Sequence, residues 1–375
     1  MKRIQVSQIL ITIDSTLVDR TNEALQKIGI THYYTLTGRQ NTLRETSHLL
    51  GLIHKTTLVG NRSEIFRFFV PIQYEQRVLN YLANILELRI PGRGSIFGES
   101  AELLSNIPFY NESLLKELPE DNLRKPFDYH LITAVLPRGI ADDVSQSVLE
   151  MGICVPTVYY GEGVGLRHKL GLIRITIPAD KEIITFLVPS VDAPLLSGIV
   201  VKQARLDQPG QGILFVTAVR AHTVNMRIYH DRHHHMASMD QVIAVIDEMH
   251  GSTGWRHRSS ASKNGFDKTG DVQCFKNISL FCDEGMSSEA VRVAMQKGAG
   301  GATLIQQDIH LPGVTAKLMK YISRESAEMI VHETCVDDIV ESIYFSGFFA
   351  YPYDGYVVIN DVEQLYVHRH IQKKH

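Results

Sequence analysis

The sequence predicts an α+β chain of three tandem βαββαβ units, and three observations carry that reading. One order of elements recurs three times in 375 residues. Each recurrence ends its first helix on a glycine, and each places a glycine-bearing turn before its last strand. Such a unit folds as a four-stranded antiparallel sheet with both helices on one face, the ferredoxin-like plait, and three of them can cover each other's open faces as an intramolecular pseudo-trimer.

The first copy opens with the β-branched run Ile9–Ile13. A segment from Leu17 to Ile28 follows with apolar residues at helical spacing and stops at Gly29. A strand over Thr31–Thr37, a polar loop, a strand over Glu64–Val70 and a helix over Tyr74–Leu88 lead to Pro91-Gly92-Arg93-Gly94-Ser95-Ile96-Phe97. The second copy begins at Leu131, with a helix over Ala141–Met151 closed by Gly152, a strand over Glu182–Val188 and a helix over Leu195–Leu206. It ends on Pro209-Gly210-Gln211-Gly212-Ile213. The third copy is more worn, with a helix over Glu289–Lys297, Gly298, a helix over Val336–Phe345 and a last turn at Tyr353-Asp354-Gly355.

The boundaries implied are a first unit over 1–110, a linker over 111–127, a second unit over 128–225, an insert over 226–272 and a divergent third unit over 273–375. Residues 98–125 read as connecting chain with some helix. The insert carries His230, Asp231, Arg232 and His233–His235, then a helical segment with a capping box, Ser238 with Gln241.

With 38 Lys and Arg against 41 Asp and Glu, the chain lacks the electrostatic footprint of a nucleic-acid binder. Cys154, Cys274, Cys282 and Cys335 form no C-x-x-C pair, so they read as buried small hydrophobes in a reducing, cytoplasmic setting. The opening stretch reads as a strand because Gln5, Ser7, Gln8 and Asp14 interrupt its apolar residues, and no run is long enough to be transmembrane. Gly161-Glu162-Gly163-Val164-Gly165 lacks the dinucleotide-binding spacing, and no Ser/His/Asp order stands out, so the chain reads as no enzyme.

Two separated motifs of the first copy resemble the PII nitrogen-regulatory signalling family. Thr37-Gly38-Arg39-Gln40 is similar to the start of that family's T-loop, and Gly92-Arg93-Gly94-Ser95-Ile96-Phe97 to its B-loop. The second copy resembles shorter PII-like proteins through Gly161–Gly165, Lys181-Glu182 and Pro209–Gly212. The resemblance implies trimer-like clefts that bind ATP, ADP or AMP as effector, with Mg and 2-oxoglutarate near the counterpart of Gln40. Carried over residue by residue, the ligand-binding set is Gly38, Arg39, Gln40, Gly92, Arg93, Gly94, Gly161, Gly163, Lys181, Gly210, Gln211 and Gly212. Glycine turns suit the task because backbone N–H groups can converge on an anion without Cβ obstruction.

The first loop, Gly38–Arg62, is expected to be poorly ordered without ligand and to reach a regulated transporter or metabolic enzyme through Leu49–Ile53. Ser63 stands where the second copy has Lys181, and the loop lacks the family's modifiable tyrosine. The crowded aromatics Phe348, Phe349, Tyr351 and Tyr353 point to a filled third cleft. The rival reading is a metal-binding or metal-tolerance protein of the same architecture, with His230, His233, His234 and His235 as ligands and solvated histidines as the plain alternative.

Overall fold

The structure, a computed structural model, describes residues 3–48, 53–120, 126–165, 180–229, 274–310, 322–350 and 355–367. The first stretch of chain supplies β1 (Ile4–Asp14), α1 (Val18–Lys27), β2 (Tyr33–His48), β3 (Ile53–Pro71), α2 (Glu75–Ile85), β4 (Gly94–Leu104) and the short α3 (Glu112–Lys116). The second supplies β5 (Phe127–Pro137), α4 (Ala141–Glu150), β6 (Thr157–Gly165), β7 (Asp180–Pro189), α5 (Ala193–Gln203) and β8 (Ile213–Thr223). The third supplies β9 (Phe275–Asp283), α6 (Ser287–Gln296), β10 (Gly301–His310), β11 (Ile322–His332), α7 (Val336–Phe345), β12 (Tyr356–Val362) and β13 (Gln364–Val367).

The thirteen strands among the described residues belong to one sheet. Ten of them close into an antiparallel barrel in the order β2-β10-β11-β9-β12-β4-β8-β5-β7-β6 and back to β2. A second path joins β4 to β2 through β1 and β3. This closure corrects the expected three tandem ferredoxin-like plaits in a pseudo-trimer: the stretches are joined through their strand edges into one barrel. The physical reason is that an open edge leaves unpaired N–H and C=O groups, and closure satisfies them. Strand β13 pairs with β8 alone among the described residues.

Period-two alternation separates two environments on each strand. On β1, Ile9, Ile11 and Ile13 pack with Phe66, Phe68 and Val70 of β3 beneath α1 and α2, where Leu25, Val78, Leu79 and Leu82 complete a buried core. The intervening Gln8, Leu10 and Thr12 face the barrel interior. The second stretch repeats the pattern, with Ile132, Ala134 and Leu136 of β5 under α4 and α5 and Thr133 turned inward. A third helix-covered core holds Ile278, Leu280, Ala327 and Ile339. Burial of each large apolar side chain contributes about 1.5–3 kcal/mol, so the three cores dominate stability.

The expected loop over Gly38–Arg62 is also corrected. Strands β2 and β3 form one long hairpin whose register continues from Tyr34↔Arg67 to His48↔Ile53. Its polar residues are absorbed by neighbours: Asn41 is fully buried and its amide donates to Ser145 of α4 at 2.8 Å. The apolar tip Leu49–Leu52 lies outside the described residues. So do His230, His233, His234 and His235 with the helix expected after them, and Tyr351, Tyr353 and Asp354. Of the cysteines, Cys154 and Cys282 are buried as expected, whereas Cys274 is exposed and Cys335 half-buried.

Candidate functional site

The ends of β6, β7 and β8 meet β10, β11 and β13 around a cleft of about 360 Å³. Glycines make the meeting possible. Gly165 pairs with Gly301 across the β6–β10 joint, and a Cβ on Gly165 would lie 2.8 Å from the Gly301 Cα. Gly212, before β8, has φ of +117° and passes so close to β5 that a Cβ would lie 2.0 Å from the Val135 carbonyl oxygen. Only glycine fits such a position.

The cleft is mixed in chemistry. Its lining includes the apolar residues Val135, Val164, Ile213, Met329, Leu365 and Val367. It also includes glycines at 163, 212 and 300 together with Thr303, Glu328 and Lys181. Lys181 is 9% exposed, held on β7 opposite Gly161 of β6. A largely apolar lining that includes a lysine and several glycines suits a flat or apolar body carrying an anionic group.

The second-copy residues singled out from sequence therefore divide. Gly163, Lys181 and Gly212 come together in the cleft. Gly161 instead lets β10 approach, since a Cβ there would lie 2.7 Å from the Leu304 carbonyl oxygen. Gly210 stands exposed with nothing within 4 Å of its ideal Cβ, and Gln211 is half-buried beside it. Sequence reasoning missed the third-stretch contribution of Gly300, Thr303 and Glu328 and the β13 side chains. The adjacent glycines Gly300 and Gly301 were the available signal.

The first-copy set is arranged differently. Gly38 lies at a strand joint, where a Cβ would be 3.1 Å from the Val158 carbonyl oxygen of β6. The Arg39 guanidinium is 2.8 Å from Asp142 of α4 and 3.6 Å from Glu182 of β7, so it serves the contact between stretches. Gln40 is buried, and its side-chain oxygen accepts from the Asn225 amide at 3.0 Å. Asn225 also accepts from the Gly92 N–H at 2.9 Å. The Arg227 side chain lies over Gly92, leaving a polar cavity of about 50 Å³. Arg93 turns back to Glu87. Gly94 is required by a Thr12 carbonyl oxygen 2.0 Å from where its Cβ would lie. In the third stretch, Phe348 fills the space over Gly355, in line with the crowding expected there. Among the described residues, no His, Cys, Asp and Glu side chains cluster as metal ligands.

No family model matches the chain, and no curated protein matches it. Among solved structures, the chain is similar in part to GlnK, a PII protein, from B. subtilis: 18% identity over 29% of this chain and 95% of that one, with a TM-score of 0.23. No helix among the described residues is long and apolar enough to cross a membrane.

Proposed function

We propose that the chain is a ligand-sensing, non-enzymatic regulator of the PII-like kind, which holds an adenine nucleotide or another small anionic metabolite in the cleft between β6–β8 and β10–β13. The observation that carries this reading is the convergence of Gly163, Lys181 and Gly212 with Glu328 in one cleft of about 360 Å³. That volume is of the size used for small organic ligands. The apolar wall suits a heterocyclic ring, and the lysine with the glycine backbone suits phosphate or carboxylate oxygens.

The output would pass through the β2–β3 hairpin, whose base pairs with β6 at Arg39↔Val158 and Gln40↔Thr157. Strand β6 also ends in the cleft, so a ligand that shifts β6 acts on the strand that carries the hairpin. Calorimetric titration of the full chain with ATP, ADP, AMP and 2-oxoglutarate tests the proposal. Saturable binding of at least one of them that is weakened by Lys181→Ala is expected. Absence of binding by all four, or binding indifferent to that substitution, would remove the cleft from consideration.

A further inference from the structure

The inward-facing residues of the barrel surround a second cavity of about 70 Å³. A water needs roughly 10–15 Å³ of such space, so this one has room for a few waters or for an ion that keeps part of its shell. Polar side chains from many strands line it. Gln8 of β1 stands opposite Glu99 of β4, and Asn277 of β9 opposite Asn360 of β12, each as cross-strand partners. The Arg67 guanidinium of β3 is 3.1 Å from the Glu328 carboxylate of β11.

The charges around this cavity do not cancel. Arg67 and Glu328 neutralise each other, which leaves Glu99, 9% exposed, as a second carboxylate with no further cation among the described lining residues. The environment registers this. Burial pushes the Glu99 carboxyl up to about 7, Thr217 of β8 and Arg67 of β3 pull it down, and Glu328 of β11 and Asp361 of β12 push it up. Tyr159 of β6, on the same cavity, is held neutral because burial raises its phenol far above the ordinary value.

Two orphaned acceptors complete the set. The side-chain oxygens of Gln8 and Asn277 accept no hydrogen bond from the described residues, although these two residues are only 4% and 8% exposed and both line the cavity. A buried acceptor without a donor has lost its hydration with nothing in exchange, so these oxygens call for a partner. Two amide oxygens and an unbalanced carboxylate on the wall of one cavity make up a hard oxygen set of the kind that alkali and alkaline-earth cations take. One residual negative charge matches one positive charge, whereas a divalent ion would leave an excess in a poorly solvated place.

We propose that the barrel interior is a monovalent-cation site in which Na⁺ or K⁺ is held by the Glu99 carboxylate and the amide oxygens of Gln8 and Asn277, entering in exchange for the Glu99 proton. The exchange balances: the carboxylic acid and the aqueous cation become the cation-bound carboxylate and one released proton. Binding is therefore favoured as pH rises through the range where Glu99 ionises.

The test uses the full chain at fixed ionic strength in KCl, NaCl and tetramethylammonium chloride, the last supplying a cation too bulky to shed a shell and enter. At about pH 8.5 the melting temperature should be a few degrees higher in at least one alkali salt, and at about pH 5.5 the three salts should agree. Glu99→Gln should remove the salt preference. Equal melting temperatures at the higher pH would overturn the site and leave a water cluster, and a salt preference that survives in Glu99→Gln would place the ion elsewhere and overturn it too. Should Glu99→Gln fail to fold, anomalous diffraction from crystals of the unaltered chain soaked in Tl⁺ at the higher pH decides. A peak within the cavity supports the site, and a cavity without one overturns it.

Discussion

The Arg67 guanidinium on β3 lies 3.1 Å from the Glu328 carboxylate on β11, a pair 261 residues apart in sequence that reaches across the interior of the barrel. Glu328 also lines the cleft between β6–β8 and β10–β13. One carboxylate thus borders both compartments of the molecule.

Breaking that pair on one side should be costly. Arg67→Met leaves Glu328 facing a cavity without its cation, and a loss of about 3–5 kcal/mol in unfolding free energy is expected from urea titration. The double variant Arg67→Met with Glu328→Leu should recover a large part of the loss, because no unmatched charge remains. Equal losses for the single and double variants would show that the pair is not the source of the effect.

Lys181→Ala should weaken an anionic ligand by about 1–3 kcal/mol, roughly 5- to 150-fold, because a charge-assisted contact disappears from a buried position. Lys181→Arg keeps the charge and should lose less. Titration calorimetry with whichever nucleotide binds the unaltered protein measures both.

Stability should fall as pH rises over the range where Glu99 titrates. An ordinary glutamate has a pKa of about 4.3 when unfolded, and the folded value is raised to about 7. The folded state therefore keeps a proton that the unfolded state releases. The associated stability is fully present below the unfolded value, and it is lost as pH climbs toward and past the folded one. The change is on the order of 4 kcal/mol at most. Chemical denaturation between about pH 4.5 and pH 8 in tetramethylammonium salt should show this decline, and Glu99→Gln should flatten it.

Two glycines of one turn should respond unequally to alanine. At Gly212 the new Cβ would meet the Val135 carbonyl oxygen at 2.0 Å with φ at +117°, so a loss above about 2 kcal/mol and a damaged cleft are expected. At Gly210 the space is open and only the φ of +79° opposes the substitution, for about 1 kcal/mol. Thermal melts of the two variants, with ligand titration, compare them directly.

The parts of the fold legible in sequence were those set by neighbours along the chain. Helical spacing around Ala24 and Leu25, and alternation in Phe66, Phe68 and Val70, depend only on which side of an element is buried, and the structure places them under the helices. Edge pairing is not written that way. Nothing local in β4 tells that it hydrogen-bonds both β12 and β8, so the sequence points to three tandem plaits packed as a pseudo-trimer where the structure has one barrel. The polar run Arg39–Asn41 looked like a loop because its partners, Asp142 and Ser145, lie a hundred residues away. The same distance hid half of the cleft. Lys181 and Gly212 could be read from their own turns, while Glu328 and Thr303 reach the cleft only through the β6–β10 joint.

The outer wall of the cleft has a consequence of its own. Leu365 and Val367 sit on β13, a strand of four residues attached along a single edge to β8. Detaching it would interrupt no strand pairing in the closed ring, so a ligand of the kind proposed could enter by lifting this strand. Entry and exit would then be paced by a few backbone hydrogen bonds, by Leu365 and Val367, and by Tyr366, which packs against the core under α4 and α5. Amide exchange at Gln364–Val367 faster than in β8, and slowed by bound ligand, is the signature such a door would leave.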